Sequence, residues 1–253
     1  MNIAHLKETW LREEAAARMT GWDFSHIADR YIEEDSIPWN YRSIVLSHLK
    51  PGMQLLDMGT GGGEFLLTLG HPYVQTTVTE GYPPNAQLCR ETLAPLGIRV
   101  IEADAEQPLP LPDEAFDLVI NRHESYVPSE VWRILKPGGL FITQQVGEMN
   151  DRDFVDLLLP GLPVSFPGHN AAVQSQHFRD AGFTLLQTDE HFGSIRFFDT
   201  GALVWFAKIL PWEFVDFSVE RCLDRLSQAQ LILEEKGCIK GRTHRFLIVA
   251  QKA

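Results

Sequence analysis

Residues 55–69, LLDMGTGGGEFLLTL, constrain the fold of this chain more than any other stretch. A short apolar run passes into Asp57, then into Gly59, Gly61 and Gly63, and then into apolar spacing of helical period that starts near Glu64. That order reads as strand, tight turn and helix, because glycine tolerates the left-handed backbone of a sharp turn. A strand that feeds directly into a helix needs neighbouring strands to bury both, and a sheet of parallel strands wrapped by helices satisfies that need.

The rest of the chain repeats the unit. Apolar runs recur as QLLDM, VQTTVTE, IRVIEA, FDLVINR and GLFITQQ between residues 54 and 145, with helical stretches between them. Lys50-Pro51-Gly52 before the first run and Lys136-Pro137-Gly138-Gly139 before the fifth read as turns that end a helix ahead of a strand. Upstream, Leu6, Trp10, Leu11 and Ala17 form one helical stripe and Ile44, Val45 and Leu49 another, on either side of an aromatic-rich connector. Downstream of Asn150, helices are expected over 171–180 and 219–235, apolar runs near 183–186 and 195–198, and a final strand in RFLIVAQKA. With 253 residues, the reading is one domain: a helical and aromatic cap (1–49), a core carrying the glycine turn (50–147), and an insertion with the last helix and strands (148–253).

The turn is suited to a ligand. Its glycines let backbone approach without a Cβ in the way, and the following helix start presents unpaired N–H groups. Glu80 lies 23 positions after Asp57, at the end of the second apolar run, where a carboxylate accepts hydrogen bonds from ribose hydroxyls. Turn and acid together read as a nucleoside half-site. A dinucleotide site prefers G-x-G-x-x-G, and here Glu64 stands where the third glycine belongs, placing negative charge near a pyrophosphate. The pattern D-x-G-x-G-x-G fits at every position.

These motifs resemble a class I S-adenosylmethionine-dependent methyltransferase over about residues 50–147. The family's glycine-rich motif matches DMGTGGG, its ribose acid Glu80, its third-strand acid Asp104 in IEADAEQPLPLPDEAFD, and LKPGG resembles its turn before the fifth strand. The resemblance implies a Rossmann-like, seven-stranded, mostly parallel sheet with helices on both faces, a final antiparallel strand, and an N-terminal helical cap. It implies S-adenosylmethionine as cofactor and S-adenosylhomocysteine as product, with Gly59, Thr60, Gly61 and Gly63 approaching the methionine part. Asp57 would steady the loop or meet the ammonium group, Glu80 would hold the ribose, and Gly81 and Tyr82 would flank the adenine. Asp104 and the Ala105 N–H would serve the adenine edge. Asn121 opens the segment that contacts the ammonium group, and His123 or Glu124 would remove a proton from the acceptor.

Acceptor recognition is expected from the aromatics of the cap, Trp22, Asp23, Phe24, Trp39 and Tyr41, and from 202–217 with Trp205, Trp212 and Phe214. A formal charge of -12, with eight acids and a single arginine in residues 101–130, favours a small-molecule acceptor over RNA, other nucleic acid or an anionic membrane. An RNA or protein methyltransferase is the alternative, with a non-catalytic S-adenosylmethionine-binding protein and an NAD-dependent oxidoreductase as readings of another class. Three cysteines without CxxC spacing and the absence of HExxH argue against a disulfide framework and a metal site and for a cytoplasmic setting. No apolar stretch approaches the length of a membrane span or signal peptide, and the oligomeric state stays open.

Overall fold

In the computed structural model, residues 3–18, 24–34 and 37–253 are described. The helices among them are α1 (Ile3–Ala16), α2 (Tyr41–His48), α3 (Glu64–Leu67), α4 (Pro83–Thr92), α5 (Pro128–Ile134), α6 (Arg152–Leu158), α7 (Ala171–Asp180), α8 (Thr200–Ile209) and α9 (Leu223–Lys236). The strands are β1 (Tyr31–Glu34), β2 (Leu55–Met58), β3 (Thr76–Glu80), β4 (Arg99–Glu102), β5 (Phe116–Arg122), β6 (Leu135–Val146), β7 (Phe183–Phe197) and β8 (Ile239–Lys252). The sheet order is β1-β7-β8-β6-β5-β2-β3-β4. The chain divides into two units, each with its own core: Ile37–Gly147 with Gly168–His191 and Arg245–Ala253, and Met1–Ser36 with Glu148–Pro167 and Phe192–His244.

The first of these carries the glycine turn. β2 lies between β3 and β5, all parallel, with Leu55 opposite both Thr76 and Leu118. β4 extends the parallel set beyond β3, β6 extends it beyond β5, and β8 runs antiparallel to β6. β2 is covered on both faces, which is why LLDM reads as a continuous apolar run rather than an alternating one. Leu56, Met58, Val119 and Phe141 pack with Val131, Ile134 and Phe178 of α5 and α7. Leu55, Val78, Leu118 and Ile142 pack with Val45 of α2 and Cys89 of α4. Helices therefore cover both faces. The chain builds outward through β3 and β4, then crosses to β5 and β6 on the other side of β2. That reversal opens a crevice at the carboxyl ends of β2 and β5, where α/β sheets hold ligands.

The second unit has an aromatic core. Trp10 of α1 is fully buried and its indole donates to Thr200 Oγ1 at 2.8 Å. α8 is buried along almost its whole length, capped by Asp199, whose carboxylate accepts from Ala202 N at 2.8 Å and is held by Arg30 at 2.6 Å. Trp205 and Phe214 lie inside this core, against Phe24 and Phe206 respectively.

Four elements differ from the sequence expectation. The sheet has eight strands rather than seven, because Tyr31–Glu34, within the expected connector, pairs antiparallel with β7 from Tyr31↔Phe197 to Glu34↔Ser194. LKPGG is the start of β6 rather than a turn ahead of it: Gly138 has φ 76° and the pairing with β5 shifts register between Phe116 and Leu118, as a bulge does. The two apolar runs near 183–186 and 195–198 are one strand of 15 residues, and β8 begins at Ile239, well before RFLIVAQKA. No helix of the described residues is long and apolar enough to cross a membrane.

Candidate functional site

β2 delivers the chain into the glycine turn. Gly59, Gly61 and Gly63 adopt φ of 67°, 62° and 85°, the left-handed region that costs side-chain-bearing residues energy. The N–H groups of Gly59 and Thr60 both donate to Thr79 O of β3, at 3.0 and 3.1 Å, and Gly63 N donates to Thr60 O at 3.0 Å. Thr60 Oγ1 donates to Asp57 Oδ2 at 2.7 Å, locking the strand's last acid to the loop. Gly59 and Gly61 serve different ends. A Cβ on Gly59 would come within 2.3 Å of Glu124 Cγ, so its smallness admits a neighbouring side chain. A Cβ on Gly61 would meet no atom within 4 Å, so the loop is open there.

Glu80 closes on the same loop. Its Oε2 accepts from Gly61 N at 2.8 Å and its Oε1 from Tyr82 N at 2.9 Å, while the residue is almost fully buried. Cys89 Sγ, from α4, donates to Gly61 O at 3.0 Å, so both polar groups of the Gly61 backbone are held. Gly81 approaches the end of β4, where a Cβ would lie 3.2 Å from Ala103 O. Ala103 N donates to Glu80 O at 3.1 Å. Asp104 Oδ1 accepts from Glu106 N at 2.9 Å and Ala105 is buried beside it. Tyr82, at the start of α4, is exposed. Asp57, Gly59 to Gly63, Glu80 to Tyr82, Asp104 and Ala105 thus all lie at the carboxyl ends of β2, β3 and β4.

The local field is strongly negative. Burial, reinforced by the charge of Glu80, pushes the Asp57 carboxyl up to about 7 against the opposing Thr60 hydrogen bond and the Arg122 charge. Burial also raises Glu124, and Glu80, Asp104 and Glu106 add to it while the Ser125 N–H opposes. The Cys89 thiol is pushed up to about 11 by burial and by Glu80, Glu64 and Asp57. Carboxyl groups crowded this closely resist simultaneous ionisation unless a cation joins them.

The end of β5 supplies the other wall. Asn121 is fully buried, and its Oδ1 accepts from Thr143 Oγ1 at 2.9 Å and Gln145 Nε2 at 2.5 Å. Gln145 Nε2 also donates to Glu124 O at 3.0 Å. His123 has φ 62°, and its N–H donates to Gln144 O at 2.9 Å. The residue is exposed. Protein atoms around the ring, with the charges of Arg245 and Arg122, shift its pKa downward.

Of the residues expected on the acceptor side, Tyr41 is buried, its hydroxyl donating to the carbonyls of Asn121 and Ile142 at 2.9 and 3.1 Å. Trp39 donates to Gln144 Oε1 at 2.9 Å. Trp22 and Asp23 lie outside the described residues. Sequence reasoning missed Thr143, Gln144, Gln145 and Cys89. Three consecutive polar residues inside the otherwise apolar GLFITQQV were the available signal, since a buried central strand carries polar side chains only where they find partners.

Known proteins similar to this chain are methyltransferases. A family model described as a methyltransferase domain matches residues 56–143. The chain is 31% identical over 137 residues to the demethylmenaquinone methyltransferase of Thermus thermophilus, covering 47% of this chain and 62% of that protein. It is 30% identical over 116 residues to the sterol 4-C-methyltransferase of Caenorhabditis elegans, covering 42% of this chain and 34% of that protein. These matches thus span about a third to just under two thirds of the relatives' own lengths. A protein of Bacillus halodurans C-125 with a provisional methyltransferase designation shares the fold, at TM-score 0.57 and 18% identity over 84% of this chain and 98% of that one. Over residues 56–143, about a third of its length, the chain is thus similar to a methyltransferase domain.

Proposed function

We propose that this protein transfers a methyl group from S-adenosylmethionine to a small-molecule acceptor. The observation that carries the reading is the closure of the glycine turn on Glu80, with Gly61 N at 2.8 Å from a buried carboxylate that also receives the Tyr82 N–H. A carboxylate oxygen has room for more than one donor, so Glu80 holds the turn and retains capacity for ribose hydroxyls. The open space over Gly61 and the exposed face of Tyr82 leave room for a nucleoside beside that carboxylate. Asp104 accepts from the adenine amino group and Ala105 N–H donates to the ring. The carboxylates of Asp57 and Glu124 favour a ligand bearing ammonium and sulfonium charges and disfavour a pyrophosphate.

S-adenosylmethionine supplies a methyl group already activated on its sulfonium, so the protein's part is alignment and exclusion of water. Asp57, tied to Thr60, orients the ammonium end. Glu124, packed against Gly59 with its carboxyl raised by burial and by its acidic neighbours, is the better placed of the two expected bases to take an acceptor proton. His123, its pKa shifted downward beside Arg122 and Arg245, is the weaker base. The named activities of the relatives, on a sterol and on demethylmenaquinone, support a small apolar acceptor.

Calorimetry of the purified protein with S-adenosylmethionine, S-adenosylhomocysteine and NADH tests the cofactor. Saturable binding of the first two and none of NADH is expected. Binding of NADH alone would sink the reading. A screen with methyl-labelled S-adenosylmethionine against sterols, quinols and fatty acids then tests the acceptor class.

A further inference from the structure

Trp39, Gln144 and His123 form a relay whose hydrogen-bond directions are determined from one end. An indole nitrogen can only donate. Trp39 Nε1 lies 2.9 Å from Gln144 Oε1, so that oxygen is the acceptor and the carboxamide orientation follows. The other end of the same amide, Gln144 Nε2, is therefore a donor, and it lies 3.3 Å from His123 Nε2. A donor facing a ring nitrogen requires that nitrogen to be unprotonated, which places the imidazole proton on Nδ1. Among the described residues Nδ1 has no hydrogen-bond partner, and His123 is open to solvent. Backbone geometry fixes the same unit, since His123 N donates to Gln144 O at 2.9 Å and the residue sits at φ 62°.

We propose that Trp39 and Gln144 are positioning residues that hold His123 as the neutral Nδ1–H tautomer, making it a hydrogen-bond donor to a ligand oxygen rather than a base. The charged groups acting on the ring, Arg122 beside it on β5 and Arg245 on β8, both oppose an imidazolium and both favour an oxygen that carries negative charge. The ligand class that fits is an acceptor with a carbonyl, enolate or phenolate oxygen. The tautomer stands on the relay alone; the identity of the partner oxygen as the acceptor's rests on the methyltransferase reading.

The test is the long-range proton–nitrogen spectrum of the nitrogen-labelled full chain at pH 7.5, with His123 assigned by its loss in His123→Gln. The expected pattern is protonated Nδ1 and bare Nε2. Gln144→Glu replaces the donor with a carboxylate, which accepts from both Trp39 and the ring, so the proton should move to Nε2 and the imidazole pKa should rise. Trp39→Phe frees the amide to turn over, and a mixture of the two tautomers is expected. A wild-type Nε2–H pattern, or an unchanged pattern in Gln144→Glu with a folded-protein spectrum, overturns the proposal. Should Gln144→Glu fail to fold, Trp39→Phe decides it, because an unmixed Nδ1–H signal there removes the relay. S-adenosylmethionine affinity, read separately by calorimetry on the wild type, fails or stands independently of the tautomer.

Discussion

Asp57 and Glu80 are both buried carboxylates of one turn, and they differ in how the protein stabilises their charge. Glu80 receives two backbone N–H groups, whereas Asp57 receives a single hydroxyl and is pushed up to about 7. Glu80→Ala should therefore weaken S-adenosylmethionine binding by about 2 to 4 kcal/mol, the worth of two charge-assisted bonds to the ribose, and calorimetry with an unchanged affinity would reject the site. Asp57 sets a pH dependence instead. Its folded pKa lies above its unfolded value, so the folded chain holds the proton more tightly between about pH 4 and 7, and the stability this confers is present at low pH and lost as pH rises through about 7. A cationic ligand needs the ionised form. Cofactor affinity should fall as pH drops from 7 to 5.5, by at most about tenfold per unit, and binding near pH 6.5 should release a proton that calorimetry detects as a buffer-dependent heat. Asp57→Asn should lose the pH dependence along with most of the affinity; a wild-type affinity flat across that range would show that Asp57 does not titrate with the ligand. The turn and the acid that closes on it were legible in the sequence here, as D-x-G-x-G-x-G and an acid 23 positions on. The thiol of Cys89 on the Gly61 carbonyl was not, since nothing local links positions 28 residues apart.

The glycine turn separates two effects that sequence patterns merge. Gly59 and Gly61 share the same backbone region, but only Gly59 has a neighbour where a Cβ would go. Gly59→Ala should destabilise the protein by more than the roughly 1 to 2 kcal/mol of left-handed strain, and Gly59→Ala/Glu124→Ala should recover part of that excess in thermal unfolding. Gly61→Ala should cost only about the strain and still abolish cofactor binding, because the proposed site includes the open space over Gly61. Equal destabilisation by both substitutions would mean that the Glu124 contact carries no energy. The same distinction explains what was legible among the elements. β2 to β6 and α7 were readable because periodicity and turn residues act locally. β1 was not: YIEE has too little patterning to declare a strand, and its conformation comes from pairing with residues 194–197, about 160 positions away. LKPGG carries the residues of a turn and forms a bulged strand start, because β5 alongside captures its backbone.

At the scale of the whole molecule, the second unit gathers residues from three separate stretches of chain, so its core was visible only as aromatic richness. Trp205 and Phe214 carry the composition of a ligand pocket and belong to that core, since a large aromatic ring lowers free energy by burial whether or not a ligand is near. Charge, by contrast, is a sum and needs no fold to be read. A formal charge of -12, with Asp57, Glu80, Asp104, Glu106 and Glu124 around the glycine turn, makes approach of a polyanion increasingly unfavourable as salt is lowered. Phosphate-contacting proteins behave oppositely and bind more tightly as salt falls. With methyl-labelled S-adenosylmethionine at roughly 50 mM salt, where screening is weakest, label is therefore expected in an extractable small-molecule fraction and not in added transfer RNA. RNA labelling that grows as salt is reduced would show a local basic surface overruling the average field, and would move the acceptor from small molecule to nucleic acid while leaving the cofactor site as described.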